Sequence, residues 1–112
     1  MALYTELTEI ITELDSKQNY PYSAPEGLSH RFCRFREAMQ LVATTLSNQR
    51  GRAFLRKYET GSRGQQLDQL EDAKSWERDD LVLMLGFCQD ANQLENYLKR
   101  TWKSLERQIK SQ

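Results

Sequence analysis

Cysteine, histidine and proline are scarce in this 112-residue sequence, which has two cysteines, one histidine and two prolines. Cys33 and Cys88 form no C-x-x-C pair, so free thiols are expected rather than a disulfide framework. A metal site would require the fold to bring His30 together with both cysteines, whereas structural zinc sites usually show closely spaced pairs of ligands. The sequence therefore predicts no metal and no other cofactor.

The single histidine also limits the catalytic chemistry that the sequence can support. His30 and Cys33 are three residues apart on a predicted helix, so an imidazole and a thiol could meet there. No residue pattern supplies an orienting third group or an oxyanion donor, and Cys33 lies beside apolar positions where a thiol usually packs. We therefore expect a non-enzymatic protein.

Long apolar runs are absent as well. The longest extends from Leu81 to Leu85 and stops at Gly86, far short of the ~20 residues that span a membrane. The N-terminal stretch MALYTELTEI carries glutamates and has no basic region before an apolar segment, unlike a secretory signal. These features predict a cytoplasmic protein without a membrane partner.

What the sequence does contain is typical of one globular helical domain. Hydrophobic residues make up 38% and charged residues 29%, and 112 residues suffice for one core. Apolar residues recur at intervals of three and four along most of the chain. We predict an all-α fold, a compact bundle of about four to five helices in a single domain covering residues 1–112.

The clearest helical pattern predicts a central helix over residues 24–47. Apolar residues spaced alternately four and three apart form a heptad seam of Leu28, Phe32, Phe35, Met39, Val42 and Leu46. Such a seam suits packing within a bundle, and Ala38 and Leu41 would widen it. Ser23 is the predicted N-cap, because Pro25 and Glu26 suit the first helical turn.

Shorter helices separated by breaks are predicted on either side. Residues 3–14 show the spacing of an amphipathic helix, and Ser, Asn and Gly within residues 47–51 predict a break or kink. Residues 61–64 are predicted to form a loop. The apolar run at 81–88 favours a buried helix, with a buried strand as the alternative.

A final helix is predicted to start at a cap formed by residues 90–93. Its apolar face holds Leu94, Leu98, Trp102, Leu105 and Ile109. Trp102 is therefore expected in the core, whereas Trp76, near a helix start, is expected to be half exposed.

Charge is balanced overall but uneven along the chain. The net charge is zero, with −4 over residues 1–27, +6 over 28–64 and −2 over 65–112. The basic middle is mostly arginine, whose guanidinium group suits bidentate contacts with carboxylates and phosphates. Three interpretations are open: pairing within the chain, docking of an acidic protein partner, and binding to nucleic acid.

We predict a protein–protein interaction module, an adaptor, assembly factor or regulator, in which an apolar stripe and the basic segment bind a partner with an acidic surface. The candidate partner-binding residues are Arg31, Arg34, Arg50, Arg52, Arg56, Lys57, Tyr20 and Tyr22. The two tyrosines flank Pro21, where they either close over the core or anchor the partner. A homodimer is one form of this function. A nucleic-acid-associated regulator is the alternative, and the zero net charge counts against it.

Overall fold

The computed structural model describes residues 2–110, and helices dominate it. They are α1 (Ala2–Lys17), α2 (Glu26–Leu46), α3 (Gln49–Leu55), a π-helical turn (Arg56–Thr60), α4 (Ser62–Asp72) and α5 (Arg78–Lys110). Two-residue strands, β1 (Tyr22–Ser23) and β2 (Ser75–Trp76), pair antiparallel and join the segments that precede α2 and α5. The prediction of an all-α bundle of four to five helices is confirmed.

The predicted central helix corresponds to α2, and all six residues of its seam are buried in the core or packed against it. The predicted N-cap was wrong. The helix begins after Pro25, while Ser23 belongs to β1 and pairs with Ser75. Ala38 and Leu41 do not widen the seam either, because both are exposed, Leu41 by 68%. The apolar face of α2 is therefore narrower than the sequence predicted.

The chain turns sharply after α2, which confirms the break predicted at residues 47–51. Ser47 takes a left-handed backbone conformation with a φ of 49°, and the side chain of Asn48 caps α3 by accepting a hydrogen bond from the Gly51 amide at 3.0 Å. A Cβ atom on Gly51 would collide with the carbonyl oxygen of Ala43. The close approach of α3 to α2 thus depends on this glycine.

The loop predicted at residues 61–64 was wrong, because only Gly61 separates the π-helical turn from α4, which begins at Ser62. Gly64 is buried within α4, where a Cβ atom would approach the carbonyl oxygens of Tyr58 and Glu59 to 2.9 Å. Glycine serves here for close packing between two helical segments. Sequence pattern alone does not distinguish that role from a turn.

The longest element, α5, is one helix of 33 residues. Residues 81–88 are helical, as favoured, but the new start predicted at residues 90–93 was wrong because α5 passes through it. The carboxylate of Asp80 accepts a hydrogen bond from the Glu77 amide at 2.9 Å, which caps the first turn. Among the described residues, no helix is both long enough and apolar enough to cross a membrane.

The core is built around Phe87 of α5, whose side chain is fully buried. The rings packed around it, with their centroid distances, are Phe32 (5.5 Å), Phe35 (6.0 Å), Phe54 (5.6 Å) and Tyr58 (4.9 Å). Trp76 closes one end of the core, where its indole N–H donates to the Leu70 carbonyl at 3.1 Å. Because Trp76 is only 1% exposed, the expectation of half exposure was wrong.

One end of α5 extends beyond the other helices. Near the end of α1, Asp15 pairs with Arg78 at 3.0 Å, whereas Leu3 at the beginning of α1 lies beside Lys99, so α1 runs antiparallel to α5. The molecule measures 59 × 26 × 20 Å, and a helix of 33 residues, about 50 Å long, accounts for most of the long dimension. Residues 101–110 therefore project from the bundle.

Candidate protein-binding surface

The projecting residues 101–110, named here the arm, carry an apolar surface that no other part of residues 2–110 covers. Leu98, Trp102, Leu105 and Ile109 form one line along it, named here the arm stripe. Trp102 is 61%, Leu105 47% and Ile109 72% exposed, whereas Leu98 at the base is half-buried. The expectation that Trp102 lies in the core was therefore wrong.

The arm stripe continues the buried face of α5. At 3.6 residues per turn, the arm stripe projects to the same side of α5 as its buried residues. Those buried residues are Leu81, Met84, Phe87, Cys88, Ala91 and Leu94. The apolar residues stay on one side of α5 along its whole length. What changes is whether other helices pack against that side. The arm stripe is thus an apolar face of core type that has no partner within the described chain.

Arg50, at the beginning of α3, lies at the base of the arm. Its guanidinium carbon is 4.4 Å from the centroid of the Tyr97 ring, in cation–π geometry. An open cavity of about 440 Å³ adjoins this contact, and it is lined by Arg50, Tyr97, Arg100, Thr101, Ser104 and Leu105. One of the predicted basic residues therefore shares a surface with the arm.

Two more of the predicted basic residues pair with carboxylates within the chain. Arg31 of α2 forms an ion pair with Glu6 of α1 at 2.6 Å. Lys57 of the π-helical turn pairs with Asp90 of α5 at 3.0 Å. These two ion pairs agree with the interpretation that the basic segment pairs with carboxylates within the chain.

Three more of the predicted arginines are exposed on α2, α3 and the π-helical turn. Arg34 and Arg52 form no ion pair with any residue that the structure describes. Arg56, in contrast, does interact with another group in the chain. Their role in binding a partner stays a prediction.

Arg36, an arginine outside the predicted set, forms several hydrogen bonds in the core. Arg36 is buried in α2, and its Nη1 donates to Asp68 at 2.7 Å and to Glu71 at 2.9 Å. Its Nη2 donates to the carbonyl oxygens of Tyr58 and Gly64 at 3.4 and 3.3 Å. Burial opposes the charge, but the hydrogen bonds with Glu71 and Asp68 outweigh it and leave the pKa of Arg36 raised. This side chain ties α2 to the π-helical turn and α4, so its role is structural.

Tyr20 and Tyr22 lie at the end of the bundle opposite to the arm. Both are half-buried against the core. The Tyr20 hydroxyl donates to Asp15 at 2.7 Å, and the Tyr22 ring lies 6.3 Å from that of Trp76. These contacts match closure over the core, and a role in anchoring a partner stays a prediction.

Neither thiol has the environment of a nucleophile. Burial, followed by the charges of Glu71 and Glu37, raises the pKa of Cys33, and burial raises the pKa of Cys88 to about 12. A reactive cysteine needs the opposite shift, because the thiolate is the attacking species. Within residues 2–110, no three His, Cys, Asp or Glu side chains form a group that could hold a metal ion.

No protein-family model matches the chain, and neither the curated proteins nor the solved structures provide a match.

Proposed function

We propose that this protein is a non-enzymatic protein–protein interaction module that binds its partner through the arm stripe and Arg50. The exposure of Trp102, Leu105 and Ile109 on one line carries the proposal. Contiguous apolar patches bordered by polar residues mark interaction sites, since burying them is favourable. Tryptophan and arginine are also the residue types that contribute most at protein interfaces.

The shape of the arm supports a helical mode of binding, and an acidic surface on the partner stays a prediction. An amphipathic helix binds in a groove or against another helix through residues spaced three and four apart, as in the arm stripe. Residues 97–110 contain five Lys or Arg and one acidic residue, so the charge around the stripe is positive. An adaptor, assembly factor or regulator located in the cytoplasm would use such a surface, and these roles belong to the proposal.

The positions of the basic residues favour a protein partner over nucleic acid. Affinity for nucleic acid grows with the number of phosphates that Lys and Arg neutralise. Arg31 and Lys57 already pair within the chain, and Arg36 is buried. If DNA or RNA binds at low salt, weakens steeply with salt and weakens further in Arg52→Glu, the nucleic-acid alternative would replace the proposal.

A photo-cross-linking amino acid placed at position 105 tests the proposal in a lysate of the native source. The matched control is position 41, where an exposed leucine lies on α2, away from the arm. We expect protein adducts from position 105, few from position 41, and loss of the position-105 adducts when Trp102→Ser is added. Equal adducts from both positions, or none from position 105, would contradict the proposal.

A further inference from the structure

We infer that the partner of the arm stripe is the arm stripe of a second copy of this chain, packed antiparallel. The inference rests on the proposed function and specifies its partner. It comes from the spacing of the apolar residues in the arm stripe, which is symmetric about the middle of the stripe.

The apolar residues carry the first part of this symmetry. Leu98, Trp102, Leu105 and Ile109 are separated by four, three and four residues. Alternation of four and three is the spacing by which two helices pack knobs into holes. In an antiparallel pair with its two-fold axis at the middle of the stripe, Trp102 faces Leu105 of the second copy. Leu98 then faces Ile109 of the second copy, so every residue of the stripe is covered.

The charges beside the stripe match in the same register. Lys99 and Glu106 directly follow Leu98 and Leu105, so they project along one flank of the stripe. A two-fold axis places this flank against its own copy. At 1.5 Å per residue, Lys99 then lies within about 3 Å, along the helix axis, of Glu106 of the second copy. Within its own chain Lys99 pairs with Glu95 at 3.5 Å, so in the dimer its ammonium group would be shared between two carboxylates. The same pair forms twice, and it uses the only acidic residue in the range 97–110.

The remaining polar residues of the arm agree with this arrangement. Thr101 and Gln108 occupy the other flank and are uncharged. Arg100, Lys103 and Arg107 project away from the stripe. The excess positive charge of each arm therefore faces solvent, where salt screens the repulsion between copies.

The position of the arm stripe relative to the bundle also fits an antiparallel pair. Ile109 of the second copy reaches Leu98, which is the level at which the bundle ends. The two bundles then lie at opposite ends of the paired arms and do not compete for space. A parallel pair would bring the bundles side by side, and Lys99 and Glu106 would face the uncharged flank of the other copy.

Sedimentation equilibrium of the full chain tests the identity of the partner. Because about three turns of each helix take part, the interface is below the standard ~1,200–2,000 Å², and we expect a reversible dimer. The apparent mass should rise from 13.2 kDa toward twice that value between about 1 µM and about 1 mM. Trp102→Glu should remain a single chain, whereas the control Leu41→Glu should dimerise like the wild type.

A wild-type mass that stays at one chain throughout would overturn the inference, and so would a dimer that survives Trp102→Glu. The proposed function has a separate readout, since adducts of position 105 with other proteins would still support it.

Two charge reversals test the register. Lys99→Glu and Glu106→Lys each replace two attractive pairs by two repulsive ones, so each variant alone should dimerise about tenfold more weakly. An equal mixture of the two variants restores both pairs in a heterodimer, which should form with the wild-type affinity. Single variants that dimerise like the wild type, or a mixture no tighter than its components, would overturn the antiparallel register. Circular dichroism checks that each variant keeps its helix content.

Discussion

The two halves of α5 share one apolar face and differ in what surrounds it. Around Phe87 the face is covered by α1, α2, α3 and the π-helical turn, and its residues are buried. From Trp102 onward the same face has no cover among the described residues, because the other helices reach only to the level of Tyr97 and Lys99. Periodicity thus determines which side of a helix is apolar. The lengths of the neighbouring helices determine whether that side becomes core or binding surface.

Truncating one aromatic residue in each half gives the largest predicted contrast. Phe87→Ala should lower the free energy of unfolding by about 3–5 kcal/mol, because it leaves a cavity among four rings. Trp102→Ala should change it by less than about 0.5 kcal/mol when the chain is dilute enough to be monomeric. Urea unfolding followed by circular dichroism measures both. Similar losses would mean that the arm belongs to the core.

Arg36 is buried in the bundle, whereas Arg50 is exposed at the base of the arm, so replacing each of them should have a different effect on stability. Arg36→Met should cost about 2–4 kcal/mol, because it leaves half-buried Glu71 unpaired and removes one hydrogen bond from each of two carbonyl oxygens. Asp68 contributes little to this loss, since it is mostly exposed. The control Arg50→Met, at the base of the arm, should cost less than about 1 kcal/mol. The same unfolding experiment compares them, and equal losses would contradict the structural role given to Arg36.

A hydrogen bond between the π-helical turn and α5 gives a smaller effect with a pH signature. The Tyr58 hydroxyl donates to Asp90 at 2.6 Å, and burial together with this carboxylate raises the pKa of Tyr58. The neutral hydroxyl is favoured in the folded state, so its contribution is present below about pH 10 and is lost as the pH rises further. Tyr58→Phe should lower the free energy of unfolding at pH 7 by about 1 kcal/mol.

The loss of stability above about pH 10 should be smaller in Tyr58→Phe than in the wild type. Tyr97→Phe, at the base of the arm, is the matched control and should keep the wild-type loss. Urea unfolding across this pH range distinguishes them, and identical pH profiles for both variants would contradict the assignment to Tyr58.

Removing the arm should have only a small effect on the stability of the bundle. A chain that ends at Arg100 lacks the exposed part of the arm stripe but keeps every residue of the buried cluster. Its free energy of unfolding should stay within about 1 kcal/mol of the wild-type value in dilute solution. A larger loss would show that the arm stabilises the bundle directly.

The sequence pattern was sufficient to predict helices, whose spacing of apolar residues is local. It was not sufficient to predict the burial of side chains that depends on contacts between distant parts of the chain. The spacing of the seam was sufficient for α2, because that helix packs in the core over its whole length. Trp76 and Trp102 were assigned the wrong exposures. Trp76 is buried because it lies in strand β2 and donates a hydrogen bond to the carbonyl of Leu70. Trp102 is exposed because no neighbouring helix in the described part of the chain covers it. Neither cause is visible in sequence spacing.

Arg36 shows the same limit for a polar residue. It lies four residues after Phe32 and three before Met39, on the side of the buried seam, and that position was a signal of burial. Its carboxylate partners are 32 and 35 residues further along the chain, so spacing does not reveal them. Arg50 was predicted to contact a partner, but its position beside Tyr97 follows from the break after α2.

Amide hydrogen exchange along α5, at a dilute and a high protein concentration, tests the central claim most directly. Amides at 81–94 should exchange slowly at both concentrations, since they open only with the bundle. Amides at 101–110 should exchange fast in dilute solution and slow down as the concentration rises, and Trp102→Glu should abolish that slowing. Equal protection along the whole helix in dilute solution, or arm protection that does not depend on concentration, would contradict the account.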